Sequence, residues 1–135
     1  MIQLILGGAR SGKSRLAEQT AQDSGLAVTY IATAQALDIE MQQRIAHHQM
    51  QRPADWQLIE EPYLLAERLQ KIDAPNQLIL VDCLTLWMSN LLMHEDKTLQ
   101  ATECQKLLDV LPGLQSQIIL VSNETGLGVV PMGEI

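Results

Sequence analysis

Short apolar runs alternate along this chain with segments whose apolar residues follow helical spacing. Five runs typical of buried strands lie near residues 2–6, 27–31, 57–60, 78–82 and 118–122. The helix-patterned segments lie near residues 13–23, 38–51, 62–72, 84–93 and 98–111. Alternation of this kind indicates βαβ units. We therefore predict an α/β fold with a mostly parallel sheet and helices on both of its faces.

The bulk composition indicates one globular domain over residues 1–135, because this length supports one sizeable core but not two. A formal net charge of −7 disfavours a nucleic-acid or anionic-membrane surface. The sequence has neither an apolar run close to 18 residues nor a basic-then-apolar leader. We therefore expect a cytoplasmic protein with no membrane insertion.

The cysteines and tryptophans are predicted to serve packing. Cys83 and Cys104 lack the spacing of metal ligands, so we expect two buried free thiols rather than a disulfide. Trp56 and Trp87 are expected in the core, not stacked on a nucleotide base. None of these four residues is a candidate for chemistry.

The segment that follows the first apolar run carries a complete P-loop pattern. The predicted phosphate-binding residues are Gly7, Gly8, Ala9, Arg10, Ser11, Gly12, Lys13 and Ser14. The glycines let the backbone approach a phosphate chain, and the helix that follows adds the positive end of its dipole. Lys13 can reach the β- and γ-phosphates, and the Ser14 hydroxyl can bind Mg²⁺. This pattern predicts a nucleotide site.

Asp82 closes the most strongly apolar run, as the acidic residue of a Walker B segment does. A carboxylate at the carboxyl end of such a strand lies beside the P-loop and can hold Mg²⁺ directly or through water. The alternative is an aspartate that caps the next helix. In the presence of a P-loop we favour the metal role for Asp82.

Two adjacent histidines lie on the helix predicted near residues 38–51. At helical spacing Glu40, Arg44 and His47 share a polar face, whereas His48 falls toward the apolar side. Such a pair is commonly a solvated surface or a packing residue. A neutral imidazole can also attack phosphorus and become transiently phosphorylated or guanylylated. The polar face would select His47 for that role, but periodicity alone leaves both readings open.

Glu124 follows the last predicted strand, at the sheet edge where the P-loop also lies. It either orients a substrate hydroxyl or a metal-bound water, or is a polar loop residue. The sequence ends at Ile135, where a nucleotide-binding α/β domain usually adds a helix and a strand. We therefore expect a P-loop NTPase fold of the RecA-like type that lacks its C-terminal helix and strand.

Together these segments resemble the bifunctional adenosylcobinamide kinase/adenosylcobinamide-phosphate guanylyltransferase family of cobalamin biosynthesis. The matching residues are 7–15, 30–33, 38, 40–41, 44–48, 52–53, 56, 82, 90–92 and 123–131. They run in order through nearly the whole chain. The His-His helix and the Asn-Glu-x-Gly-x-Gly segment make this likeness more specific than a P-loop alone.

The resemblance implies two reactions and the residues that perform them. ATP or GTP would phosphorylate the aminopropanol hydroxyl of adenosylcobinamide, and GMP from GTP would then be transferred to adenosylcobinamide phosphate. The family likeness implies that His47 is the guanylylated residue, that residues 8–14 hold the nucleotide phosphates, and that the protein is a homotrimer. Two other functions remain open, namely a monofunctional P-loop small-molecule kinase and a nucleotide-binding module without turnover.

Overall fold

The computed structural model describes residues 2–7, 13–33 and 56–123. Within these ranges five parallel strands form one sheet in the order β1-β5-β4-β2-β3. The strands are β1 (Ile2–Gly7), β2 (Ala27–Ala32), β3 (Gln57–Glu60), β4 (Gln77–Asp82) and β5 (Gln117–Asn123). Each lies within a residue or so of its predicted position, so the five predicted strands and their parallel arrangement are confirmed.

Four α-helices connect these strands in the described ranges. They are α1 (Lys13–Asp23), α2 (Leu65–Ile72), α3 (Leu84–Leu92) and α4 (Leu99–Val110), and a single 3₁₀ turn, Leu111–Gly113, follows α4. The predicted helices near residues 13–23, 84–93 and 98–111 are confirmed. The helix predicted near residues 38–51 lies outside the described residues.

Helix α2 begins at Leu65, so the predicted start at residue 62 was wrong by three residues. The Leu64 backbone, at φ −95° and ψ 59°, is not helical, so the helix begins after it. Before the helix, Oε2 of Glu61 accepts hydrogen bonds from the backbone nitrogens of Tyr63 at 3.3 Å and Leu64 at 2.9 Å. These bonds hold the chain in a turn before the helix. The Oε1 atom of Glu61 also bonds Arg68 on the first turns of α2, with a 3.2 Å ion-pair contact.

Both faces of the central strands β2, β4 and β5 are buried, which explains why these strands read as continuous apolar runs, whereas Ile2, Leu4 and Leu6 on the edge strand β1 are 44–55% exposed. On one face α1 contacts β1, β4 and β5, and its Ala17 and Ala21 are fully buried. The opposite face packs against α2, α3 and α4. Its main core residues are Ile31, Leu65, Leu69, Ile79, Val81, Trp87, Leu107 and Leu120. The predicted coverage of both faces is confirmed.

The structure bears out the packing roles predicted for sulfur and tryptophan side chains, with one exception. Cys83 and Cys104 are both free thiols, and Cys83 is buried, but Cys104 is only half-buried because α4 lies at the surface. Burial raises the pKa of the Cys104 thiol, the Gln100 side chain lowers it, and the negative charge of Glu103 raises it further. Trp87 is buried, and the half-buried Trp56 packs on the α1 side.

None of the helices in the described ranges is both long enough and apolar enough to cross a bilayer.

Candidate functional site

The carboxyl ends of three neighbouring strands bring the predicted site elements to one edge of the sheet. Gly7 at the end of β1 pairs with Asn123 on β5, and Asp82 at the end of β4 pairs with Val121 on β5. From ordinary strand spacing, Asp82 lies roughly 10 Å across the sheet from β1 and roughly 7 Å short of Gly7 along the strands. Ligands of open α/β sheets bind at this edge.

The P-loop prediction lies partly within the described structure. β1 ends at Gly7 and α1 begins at Lys13, so the predicted motif connects a strand to the first turn of a helix. Ser14 follows in the same turn, and this turn carries no acidic residue that would compete with an anion. Helix N-termini in this setting favour bound phosphate. Residues 8–12 lie outside the described ranges.

Asp82 faces the side of the sheet on which α1 lies. Side chains alternate along a strand, and Leu78 and Leu80 of β4 pack in the cluster that contains Ala17 and Ala21 of α1. Asp82, two residues beyond Leu80, therefore shares their face. The strand end thus directs its carboxylate toward the side of the sheet occupied by the P-loop helix.

The carboxylate of Asp82 is held by a tyrosine from the neighbouring strand. The Tyr30 hydroxyl on β2 donates a hydrogen bond to Asp82 Oδ2 at 2.5 Å. Tyr30 is only 3% exposed, so its ring is fixed by the surrounding core. Hydrogen bonds to a charged acceptor are shorter and stronger than hydrogen bonds between two neutral groups.

The structure shows which residue caps helix α3. The N-cap of α3 is Cys83, whose Sγ accepts a hydrogen bond from the Leu86 backbone nitrogen at 3.4 Å. The capping position therefore belongs to Cys83 and not to Asp82.

A second set of hydrogen bonds holds the backbone beside Asp82. The Thr33 nitrogen donates to the Asp82 carbonyl at 3.1 Å, and the Thr33 side chain bonds the backbone of Cys83, which follows a cis peptide. Asn90 on α3 donates from Nδ2 to the Thr33 carbonyl at 2.8 Å and to the Pro62 carbonyl at 3.1 Å. Both Thr33 and Asn90 are buried, so these bonds fix the strand ends next to the site.

Sequence reasoning did not assign a role to Tyr30, Thr33 or Asn90, although all three lie beside Asp82. The sequence offered one signal for these residues, which is the position of two hydroxyl side chains along the chain. Tyr30 and Thr33 lie near the end of a strand predicted to be buried, where a hydroxyl needs a partner. Which partner that is depends on strand order, which the local pattern does not give.

Two other predicted site residues, His47 and Glu124, lie outside the described residues. Among the residues that are described, no group of three or more His, Cys, Asp or Glu side chains forms a cluster suited to a metal. Two open clefts in the described part of the chain, with volumes of about 320 and 340 Å³, lie at the amino ends of the strands. They are therefore on the opposite edge from Asp82.

Comparison with known proteins identifies the family. The sequence family described as cobinamide kinase / cobinamide phosphate guanyltransferase matches residues 3–135. The chain belongs to this family. It is 58% identical over 135 residues to the bifunctional adenosylcobalamin biosynthesis protein CobP of Pseudomonas aeruginosa, covering 100% of this chain and 78% of that protein. It is 39% identical over 144 residues to the CobU protein of the same description in Escherichia coli, covering 97% and 79%.

A solved structure supports the fold independently. The RadB recombinase superposes with a TM-score of 0.58 at 21% sequence identity, and the match covers 90% of this chain and 60% of RadB. At this identity the likeness concerns the fold alone. The predicted RecA-like P-loop fold is thereby confirmed, and family membership confirms the predicted bifunctional enzyme class and its use of a nucleotide.

Proposed function

We propose that this enzyme first phosphorylates adenosylcobinamide with ATP or GTP and then transfers GMP from GTP to adenosylcobinamide phosphate. Family membership supports the two reactions. The position of Asp82 is the structural observation that indicates where in the fold these two reactions take place. It lies on the α1 face of the sheet, at the carboxyl edge, with one strand between it and β1.

The P-loop residues supply the nucleotide site in this proposal. The backbone nitrogens of residues 8–12 and the N-terminus of α1 bind the phosphate chain, and Lys13 neutralises charge that develops on the phosphates. Glu124 orients the acceptor hydroxyl at the same edge. For the kinase step, that hydroxyl attacks the γ-phosphorus in line and releases its proton to solvent, while the bond to the β-phosphate oxygen breaks and the nucleoside diphosphate leaves.

A magnesium ion fits the residues at this edge. The Ser14 hydroxyl and the Asp82 carboxylate are hard oxygen ligands, and Mg²⁺ typically uses one or two such side chains together with substrate phosphates. Ser14 and Asp82 would hold the ion, which supplies charge neutralisation on the phosphates when bound.

His47 carries the guanylyl group between donor and acceptor. Its neutral imidazole attacks the α-phosphorus of GTP, so that a nitrogen–phosphorus bond forms, the bond to the β-phosphate oxygen breaks and pyrophosphate leaves. A phosphate oxygen of adenosylcobinamide phosphate then attacks the same phosphorus. The nitrogen–phosphorus bond breaks, and neutral His47 is restored with adenosylcobinamide-GDP as the product.

The assembly proposed for this enzyme is a cytoplasmic homotrimer, and its support is the family resemblance. Sedimentation equilibrium measures the mass directly. A trimer would show three times the 15.0 kDa of one chain. A mass equal to one chain at micromolar concentration would contradict this assembly.

The adjacent histidines provide a matched test of the guanylyl step. With GTP labelled on the α-phosphate, the wild-type enzyme and His48→Ala are expected to acquire an acid-labile covalent label, whereas His47→Ala is not. With γ-labelled ATP, His47→Ala is expected to retain transfer to adenosylcobinamide. Equal α-label on His47→Ala and wild type would overturn the assignment. Transfer of γ-label without any covalent GMP in the wild type would instead indicate a monofunctional kinase.

A further inference from the structure

We infer that Tyr30 is a positioning residue for nucleotide-bound metal, and that it acts through the Asp82 carboxylate. This inference rests on the proposed function, because it assigns a role to a residue that supports the proposed metal ligand.

The register places Tyr30 and Asp82 on the same face of neighbouring strands. Tyr30 pairs with Leu80, and Ala32 pairs with Asp82, so the two side chains are diagonal neighbours across β2 and β4. Both project to the α1 side, since Tyr30 and Leu80 belong to the same core cluster. A tyrosine side chain is long enough to span such a diagonal, and the 2.5 Å bond confirms that it does.

The ring of Tyr30 and its hydroxyl have separable roles. The ring packs in the core beside Val28 and Leu78, and a phenylalanine ring would fill the same space. The hydroxyl is therefore dispensable for packing. What it adds is a bond to Asp82 Oδ2, which fixes the rotation of the carboxylate about its terminal torsion.

Thr33, the residue that follows β2, complements this bond. Its backbone nitrogen donates to the Asp82 carbonyl, so β2 and the residue after it hold Asp82 at the backbone as well as at the side chain. A ligand that is held before the metal arrives loses less rotational freedom on binding. Removal of a residue that supports a metal ligand typically reduces metal affinity or activity about 10- to 100-fold.

The test measures metal binding as well as turnover. Free Mn²⁺ is followed by electron paramagnetic resonance in the presence of the protein and α,β-methylene-GTP. Tyr30→Phe is expected to bind Mn²⁺ about tenfold more weakly than wild type. The matched control is Val28→Ala, a buried residue on the same strand and face, which is expected to lower the melting temperature without changing Mn²⁺ affinity. Wild-type affinity in Tyr30→Phe would overturn the inference.

A double-mutant cycle shows whether Tyr30 acts through Asp82. Asp82→Asn is expected to weaken Mn²⁺ binding, and adding Tyr30→Phe to it is expected to cause no further loss. Full additivity of the two losses would overturn the inference. If Asp82→Asn alone binds Mn²⁺ as wild type does, the assignment of Asp82 and the inference both fall. If the wild-type protein binds nucleotide and Mn²⁺ not at all, the proposed function itself fails.

A measurement on the unsubstituted tyrosine covers the case in which Tyr30→Phe does not fold. The chain has two tyrosines, so incorporation of 3-fluorotyrosine gives two fluorine resonances, and Tyr63→Phe assigns them. Mg²⁺ added to the complex with α,β-methylene-GTP is expected to shift the Tyr30 resonance, because the carboxylate that accepts its hydrogen bond then also binds the metal ion. A Tyr30 resonance that Mg²⁺ leaves unmoved would overturn the inference.

Discussion

The hydroxyl of Thr33 makes two hydrogen bonds with the backbone of Cys83, accepting from its nitrogen at 2.9 Å and donating to its carbonyl at 2.8 Å. Thr33 is fully buried just beyond the end of β2, and Cys83 is buried just beyond the end of β4. A single side chain therefore bonds both backbone polar groups of a residue that has left the sheet ladder, and the Cys83 carbonyl also accepts from the Trp87 nitrogen at 3.2 Å. These bonds hold together the two strand ends that flank Asp82.

We expect Thr33→Val to destabilise the fold by about 1–3 kcal/mol, because it keeps the side-chain shape but removes the hydroxyl bond to the Cys83 nitrogen and one of the two bonds to the Cys83 carbonyl, which also accepts from the Trp87 nitrogen at 3.2 Å. Urea unfolding at neutral pH measures the difference. Thr33→Ser retains the hydroxyl and is the control, with an expected loss of about 1 kcal/mol for the missing methyl group. Equal stability of Thr33→Val and wild type would show that the two hydrogen bonds contribute nothing.

Most of the fold could be predicted from the sequence because its central strands β2, β4 and β5 are buried on both faces. Such strands are uninterrupted apolar runs, and the helices between them have clear apolar spacing. The start of α2 could not be predicted, because it depends on a turn in which the Glu61 side chain accepts from the backbone nitrogens of Tyr63 and Leu64 and Leu64 is not helical. That turn is a property of one side chain and not of a repeating pattern.

The candidate site was predictable only where its residues belong to a local motif. Asp82 was identified because it closes an apolar strand in a chain with a P-loop. Its supporting bonds join residues 52 positions apart, for Tyr30 and Asp82, and 50 apart, for Thr33 and Cys83. Periodicity describes neighbours within one element, so it carries no information about which strands become adjacent.

At position 90, we expect a negative charge to reduce the stability of the fold more than a change to an apolar side chain does. Its Nδ2 donates to two carbonyl oxygens, those of Thr33 and Pro62. Asn90→Asp would direct a carboxylate oxygen at these acceptors in a buried setting, and we expect a loss of about 3–5 kcal/mol. Asn90→Leu has a similar size and is the control, with an expected loss of about 1–3 kcal/mol. Thermal and urea unfolding of the pair provide the measurement, and a more stable Asp variant would contradict this explanation.

Asp73 is expected to make the stability of the protein depend on pH in the acid range. Burial opposes ionisation of Asp73, but hydrogen bonds from the backbone nitrogens of Gln115 and Ser116 outweigh it and lower the pKa of the carboxyl. A lowered folded pKa means that the unfolded state takes up its proton first as pH falls. The stabilisation is therefore present above the unfolded pKa of about 3.9 and is lost below it.

Asp73→Asn tests that dependence because it removes the titrating group. We expect it to cost about 1–2 kcal/mol at pH 7, where the ionised carboxylate accepts these bonds. The difference from wild type is expected to shrink as the pH falls from 5 to 3, and urea unfolding across this range measures it. A difference that stays constant over the same range would mean that ionisation of Asp73 does not contribute.

Glu103 on α4 is a buried carboxylate with incomplete compensation. Its side chain is 2% exposed, and its Oε2 lies 3.5 Å from the Lys106 ammonium, a side chain that is 54% exposed. Among the described residues no hydrogen-bond partner reaches its Oε1. Burial of a charge costs free energy, and a half-exposed lysine at this distance recovers only part of that cost.

We therefore expect Glu103→Met to stabilise the protein by about 1 kcal/mol. Methionine has a similar length and a high helix propensity, and it removes the cost of burying a carboxylate. Lys106→Met is the matched control. It leaves the buried carboxylate without its cation, so the same unfolding measurement should show a loss of about 1 kcal/mol. When Glu103→Met is already present, Lys106 has no carboxylate to pair with. Adding Lys106→Met to that variant should therefore leave the stability nearly unchanged. A destabilised Glu103→Met would instead show that this carboxylate is needed where it lies.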